Sequence, residues 1–459
     1  MAFLFRNPFM GQWDSFDYAT KTLRHEVSDL AFGRPLFLGI NRVMWEGANR
    51  VGVSVFHAYR VAQTVVGGFA LWGLVCFYSC VKRVGGVRLA LFGVAWLATT
   101  PMYLAYSGMV MTEVPSLACL LAAVALLLRW EVSRNRFHLV LSAVLFAAGL
   151  NIREQLITAA AVFPLMIFLD QGRAWREKIS AVLLHAGVYA LGVLGALLFL
   201  SHTDPNFWHR VRGWAAVIPI GTHGVGKQVA YLVGFAFVNC GVALAVALWT
   251  WRKWSTVLPV RALVAGLAFI PLVALLPNAD LRIQPRYELL AAPAIILAAL
   301  MGLTRALTVK NLRARHTILA LLLAGHGVFF AGGIITLTRF NRLSLERKVR
   351  VEGLLERAPR AAAFVGGAYT PILEFYRQSG IRPGWNIIRS GWDWDRENLQ
   401  DLIAGELGAD HPVLYLNDAK VWDYLREEQA DVEALRTQFQ FVRVDSGIER
   451  IELRKGRAF

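Results

Sequence analysis

Two arginines stand in Pro277-Asn278-Ala279-Asp280-Leu281-Arg282-Ile283-Gln284-Pro285-Arg286-Tyr287-Glu288, directly ahead of an apolar run. A guanidinium presents a planar fork of donors that meets a phosphate in paired, charge-assisted hydrogen bonds. Arg282 and Arg286 are therefore candidates for holding a phosphate, with anchoring at a membrane interface as the competing reading. Glu113 is the sole charge in Ser107-Gly108-Met109-Val110-Met111-Thr112-Glu113-Val114-Pro115, a turn between two apolar runs. A carboxylate at membrane depth is costly unless paired or hydrated, which favours a functional role over helix capping or snorkelling. Arg153-Glu154, between two short apolar runs, reads most simply as a local ion pair or a bridge between helices. Asp14 and Asp17 lie among Trp13, Phe16 and Tyr18 ahead of the first long apolar run. His202, His209 and His223 with Asp204 match metal ligands in residue type only, and their irregular spacing favours a surface loop.

These side chains need a scaffold, and composition says which kind. The 459 residues are 56% hydrophobic and 17% charged, with a mean hydropathy of +0.45. Several apolar runs approach the ~20 residues that a helix needs to cross a bilayer. The chain reads as a polytopic α-helical membrane protein. Its net charge of +16 is not spread evenly: residues 1–338 hold 29 Lys and Arg against 13 Asp and Glu, and residues 339–459 hold 19 against 19. The excess belongs to the membrane part, where basic residues mark cytoplasmic loops, so it gives no support for a nucleic-acid partner. Cys76, Cys80, Cys119 and Cys240 all fall in apolar runs, which argues against a disulfide framework or a zinc site.

Ten spans are expected, at 59–80, 87–106, 114–130, 137–150, 155–169, 179–200, 227–250, 259–276, 288–304 and 317–338, the fourth and fifth being short enough to be bent or re-entrant. Five alternate loops carry sixteen basic residues and the four between them carry six, which puts the first set in the cytoplasm. Glu113, Arg153 and Arg286 then face the outside, with both ends of the chain. Nothing in residues 1–11 would carry an N-terminal segment across the membrane, so a first helix is expected to be missing. Residues 15–32 and 36–50 read as amphipathic helices in the outer interface, split by Gly33-Arg34-Pro35.

Residues 339–459 change character. Apolar strands at 361–365, 385–388, 413–416, 441–444 and 451–453 alternate with helical stretches at 371–378, 396–407 and 419–439, which predicts a small α/β domain with a largely parallel sheet. Phe364-Val365-Gly366-Gly367 lacks the fuller glycine pattern of a phosphate loop and reads as a plain strand-to-helix turn. The expected division is 1–58 as interfacial helices and loop, 59–338 as the spanning domain, and 339–459 as an outer soluble domain.

In chain order, Asp14 with Tyr18 and Ala19, then Gly-Arg-Pro-Leu-Phe at 33–37, Glu113 before Pro115, and Arg286-Tyr287 with Leu289 before a late Ala-Ala-Pro span resemble the multi-spanning GT-C glycosyltransferases. The pattern is most similar to the protein O-mannosyltransferases and the lipid A aminoarabinose transferases. The resemblance implies a polyprenyl-phosphate sugar donor, used at the outer face of a bacterial inner membrane. It implies Asp14 as catalytic base, although Ser15 stands where the family has a second acid, which leaves open whether Asp17 shares the role. A carboxylate can take the proton of an acceptor hydroxyl as it attacks the anomeric carbon, and arginine can stabilise the departing phosphate. Glu113 would orient the acceptor or assist Asp14. Arg286, Arg282, Tyr287 and Arg153 would serve the donor phosphate, and a divalent ion, if used, would sit on Asp14 and Glu113. The acceptor can be a lipid, a glycan or a protein. A lipid-sugar transporter or flippase and a non-catalytic assembly protein are the alternatives.

Overall fold

In a computed structural model of the protein, the described residues are 6–10, 13–28, 32–170, 172–205, 207–209, 211–212, 225–253, 258–275, 285–306, 312–357, 362–365, 370–381, 384–388, 399–416, 425–445 and 448–454. The chain forms two compact units: Met1–Asn7, Val27–Val43 and Ala62–Phe340 make one, and Pro8–Glu26, Met44–Val61 and Asn341–Phe459 make the other.

The first unit is helical. Its elements are α2 (Pro35–Arg50), which it shares with the second unit, then α3 (Ala58–Ala98), α4 (Pro101–Ser107), α5 (Glu113–Ser133), α6 (Arg136–Ile152), α7 (Val162–Leu169), α8 (Trp175–Thr203), α9 (Val225–Cys240), α10 (Val242–Trp249), α11 (Leu258–Leu275), α12 (Ala292–Ala306) and the start of α13 (Leu312–Arg357). Among the described residues, four helices are long and apolar enough to cross a membrane unaided: Val55–Ala98, Glu113–Ser133, Trp175–Thr203 and His316–Gly353. The other apolar runs are shorter or interrupted, as α9 and α10 are by Gly241, where the axis bends by 109°. Leu183, Leu191 and Leu198 of α8 are 66%, 69% and 61% exposed. So much outward hydrocarbon on one helix is stable only against lipid.

α3 is two helical segments joined at a break. Gly86 adopts φ 82, ψ 178, outside the helical region and open to glycine. A methyl group placed on Gly93 would lie 3.4 Å from Val81 and 3.6 Å from Phe77. Twelve residues of straight helix would separate Gly93 from Val81 by ~18 Å, so the chain folds back on itself at Gly86.

α5 and α6 form the hairpin that matters for the site. Ser142 Oγ donates to the Ala123 carbonyl at 2.8 Å, and a methyl on Gly149 would stand 3.1 Å from Cys119 and 3.5 Å from the Ser116 carbonyl. Moving forward along α6 thus means moving back along α5, and the end of α6 arrives at the start of α5.

The second unit holds α1 (Trp13–Arg24), the end of α13, and a five-stranded sheet in the order β2-β1-β3-β5-β4, from β1 (Ala363–Val365), β2 (Asn386–Ile388), β3 (Val413–Leu416), β4 (Phe439–Asp445) and β5 (Ile448–Leu453). The helices α14 (Thr370–Gln378), α15 (Leu399–Gly408) and α16 (Leu425–Gln438) alternate with the strands. Ala363, Val365, Val413, Tyr415, Ile451, Ile403, Leu435 and Phe439 form its core. β1 pairs with β2 and β3 in parallel, while β5 runs antiparallel to both β3 and β4. The sheet is mixed where a largely parallel one was expected. Only Ser446 and Gly447 separate β4 from β5, too few residues for the crossover a parallel pair requires.

The interfacial stretch also departs from expectation. The first helix ends at Arg24 and not near residue 32, because His25 turns into the left-handed region (φ 59). Gly33 (φ 76) and Arg34 (φ 52) do the same ahead of Pro35, and the Ser28 amide donates to the Gly33 carbonyl at 2.9 Å. The turn is tight as well as left-handed, since a side chain at Gly33 would meet Val27 at 3.2 Å.

Candidate active site

The α5–α6 hairpin brings Glu113, the first residue of α5, to Arg153, which caps the end of α6 in an extended conformation. Arg153 Nη1 lies 2.9 Å from Glu113 Oε1 and donates to Thr112 Oγ1 at 2.8 Å, while its Nε donates to Gln155 Oε1 at 2.7 Å. Arg286, on the short 3-10 helix Pro285–Ala291, places its Nε 3.4 Å from the same Glu113 oxygen. All three side chains are buried, with Glu113 1%, Arg153 2% and Arg286 7% exposed. One carboxylate between two guanidiniums leaves the trio with one net positive charge, out of water. That is an arrangement suited to an incoming anion.

The sequence places Arg153 beside Glu154, but the two reach different partners. Glu154 makes a direct ion contact with Arg34, which is itself 7% exposed. A left-handed residue ahead of proline is doubly disfavoured, so Arg34 keeps that conformation because its surroundings hold it, the contact with Glu154 among them. Arg34 was not among the residues singled out for chemistry. The signal available was its place inside the Gly33-Arg34-Pro35 breaker, where a long charged side chain has little reason to be. Glu288, next but one to Arg286, was passed over too; it is 1% exposed and neither carboxylate oxygen has a hydrogen-bond partner among the described residues.

The remaining candidates divide as follows. Asp14 and Asp17 lie on α1 in the second unit, Asp17 buried and Asp14 partly so. Farther along α1, Lys21 pairs with Glu26 at 3.0 Å. Arg282 and His223 lie outside the described residues, and so does the side chain of Tyr287. The turn after Val365 is likewise outside them. Among the described residues no group of three or more His, Cys, Asp or Glu side chains is gathered to hold a metal. The surroundings of Glu113 are cationic, which does not suit a divalent ion. Cys76, Cys80, Cys119 and Cys240 are free and buried.

Over residues 47–203, a stretch that includes Glu113 and Arg153, the chain matches the family model described as dolichyl-phosphate-mannose-protein mannosyltransferase. No curated protein sequence matches it significantly. Among solved structures it is similar to ArnT from Cupriavidus metallidurans bound to undecaprenyl phosphate, with a TM-score of 0.62 at 12% identity over 98% of this chain and 95% of that one. The chain has the GT-C glycosyltransferase fold. The Archaeoglobus fulgidus oligosaccharyltransferase in complex with Zn and sulfate is similar as well, with a TM-score of 0.58 at 12% identity over 98% of this chain and 70% of that one. The oligosaccharyltransferase AglB from the same organism, with an inhibitory peptide and a dolichol-phosphate, gives 0.55 at 12% identity over 98% and 71%. Within this GT-C fold, Glu113, Arg153 and Arg286 come from three separate segments and converge.

Proposed function

We propose that the chain is an integral-membrane glycosyltransferase that moves a sugar from a polyprenyl-phosphate donor to an acceptor hydroxyl. The observation that carries this reading is the buried Arg153–Glu113–Arg286 trio inside a GT-C fold. Its net positive charge suits the donor phosphate, and the phosphate's charge grows as the bond to the sugar breaks. A donor lipid can stay in the bilayer while its headgroup enters the polar layer. Lipid phosphates bound to ArnT and AglB are consistent with a donor of this kind.

In the proposed step the acceptor oxygen bonds to the anomeric carbon from the face opposite the phosphate. The bond from that carbon to the phosphate oxygen breaks, its electron pair leaves with the phosphate, and the acceptor's proton passes to Asp14. The product is inverted at the anomeric centre. Arg286 meets the departing phosphate, and Arg153 holds Glu113 so that Arg286 is not drawn fully onto the carboxylate. The base role of Asp14 rests on the order of residues in the sequence, with Asp17 as its neighbour on α1. No step is routed through a metal, because the groups around Glu113 do not suit one. The charge bias of the loops supports a site on the outer face of a bacterial inner membrane.

The test is turnover. The protein in lipid nanodiscs is given undecaprenyl-phosphate mannose, glucose or aminoarabinose, with membrane lipids, glycans or proteins as acceptors, and released undecaprenyl phosphate is measured by mass spectrometry. Release that depends on an acceptor is expected with at least one donor, and no release with any donor counts against the reading.

A further inference from the structure

α1 carries Asp14 and Asp17, and it packs against α14 of the C-terminal stretch through aromatic rings. Phe16, between the two aspartates, meets Phe375 of α14 edge-on with 6.4 Å between ring centres. Phe9, just ahead of α1, lies 5.3 Å from Phe16 and 6.2 Å from Tyr376. Phe56 and Tyr59 join the same cluster: Phe56 is 5.8 Å from Phe375 and 5.6 Å from Tyr376, and Tyr59 is 6.2 Å from Phe375. Phe9, Phe16 and Phe375 are wholly buried and Tyr376 is 1% exposed. Rings at these separations, edge-on or tilted, add to the area they bury.

This seam works by shape. The Tyr376 hydroxyl is buried with no hydrogen-bond partner among the described residues, and burial, with Glu352 and Tyr59 nearby, raises its pKa above the usual phenol range. It stays a neutral packing group. A helix turns 100° per residue, so fixing the Phe16 ring fixes the direction in which Asp14, two residues earlier, leaves α1.

We propose that Phe375 is a positioning residue: the C-terminal region, through α14, holds α1 at the rotation that presents Asp14, and this is its contribution to sugar transfer. The proposal rests on the reading of Asp14 as base. A shift of ~1 Å in a reacting group can cost ~100-fold in rate, so the loss on emptying the seam should be of that order.

The test uses the full chain in nanodiscs with the undecaprenyl-phosphate sugar of the panel above that turns over fastest. Phe375→Ala should lower kcat by about 100-fold with the donor KM unchanged, and Phe375→Tyr should restore most of it. Amide exchange should quicken across residues 13–24 and stay as it was in β3. The Asp14→Asn, Phe375→Ala double variant should be no slower than Asp14→Asn alone, because a residue acting through Asp14 has nothing left to position. If Phe375→Ala does not reach the membrane, Phe375→Leu is judged by the same outcomes. Full turnover by Phe375→Ala, with Asp14→Asn inactive, overturns this proposal alone, as does a double variant that falls further by the single variant's factor. Wild-type turnover by Asp14→Asn overturns the base assignment and the proposal with it.

Discussion

Glu113 serves two arginines, and its removal leaves both without their shared counter-charge in a buried place. Breaking one side of a buried ion pair costs about 3–5 kcal/mol. Glu113→Ala is therefore expected to lower the thermal midpoint in detergent markedly, and an unchanged midpoint would show that Arg153 and Arg286 have other support. Arg286→Ala acts on the donor: a hydrogen bond to a charged group contributes about 1.5–3 kcal/mol, so donor use should fall about 10- to 100-fold. Equal loss of donor and acceptor binding would count against a phosphate role. Glu113 was legible from the sequence as a lone charge in an apolar turn, and Arg286 as one of two arginines directly ahead of an apolar run. Their meeting was not, because the contact between Arg153 and Glu113 joins residues 40 positions apart, and a residue's own neighbourhood says nothing about such a partner. Of the two readings of Arg153-Glu154, a local pair or a bridge between helices, the bridge describes Arg153, which reaches Glu113 on α5, while Glu154 reaches Arg34.

At the scale of elements, the site depends on how closely α6 lies on α5. A methyl on Gly149 would stand 2.6 Å from Leu156 and 3.1 Å from Cys119. Gly149→Val should push the helices apart, cost about 1–3 kcal/mol by overpacking, and separate Arg153 from Glu113. Turnover should then fall together with stability, and a variant that loses neither would show that the hairpin absorbs the added volume. The strands of the C-terminal region were legible to within a few residues, since short apolar runs between turn residues carry a local signal. Their relative direction was not, and for β5 it follows from a two-residue connection, which pattern alone does not weigh. The end of α1 was missed because apolar spacing continues past Arg24 while the backbone turns at His25.

At the scale of the whole molecule, the lopsided charge of the loops predicts orientation. Asn49→Cys, exposed on α2, should react with a membrane-impermeant maleimide on intact cells, and Arg134→Cys should react only after lysis. The opposite pattern would invert the topology and put Glu113, Arg153 and Arg286 on the cytoplasmic side. The fold rests on outward-facing hydrocarbon and on glycine turns such as Gly86, both visible in the sequence as apolar runs and small residues. The joining of distant segments into two units is not, because it depends on packing between residues far apart in the chain. The measurement that bears most directly on the central claim is transfer from an undecaprenyl-phosphate sugar by the wild-type protein and by Arg286→Ala, in nanodiscs, with the anomeric configuration of the product assigned by NMR. The expected result is acceptor-dependent release of undecaprenyl phosphate, an inverted product, and a loss of at least about tenfold in Arg286→Ala. Retained configuration, or full activity without Arg286, would contradict the account.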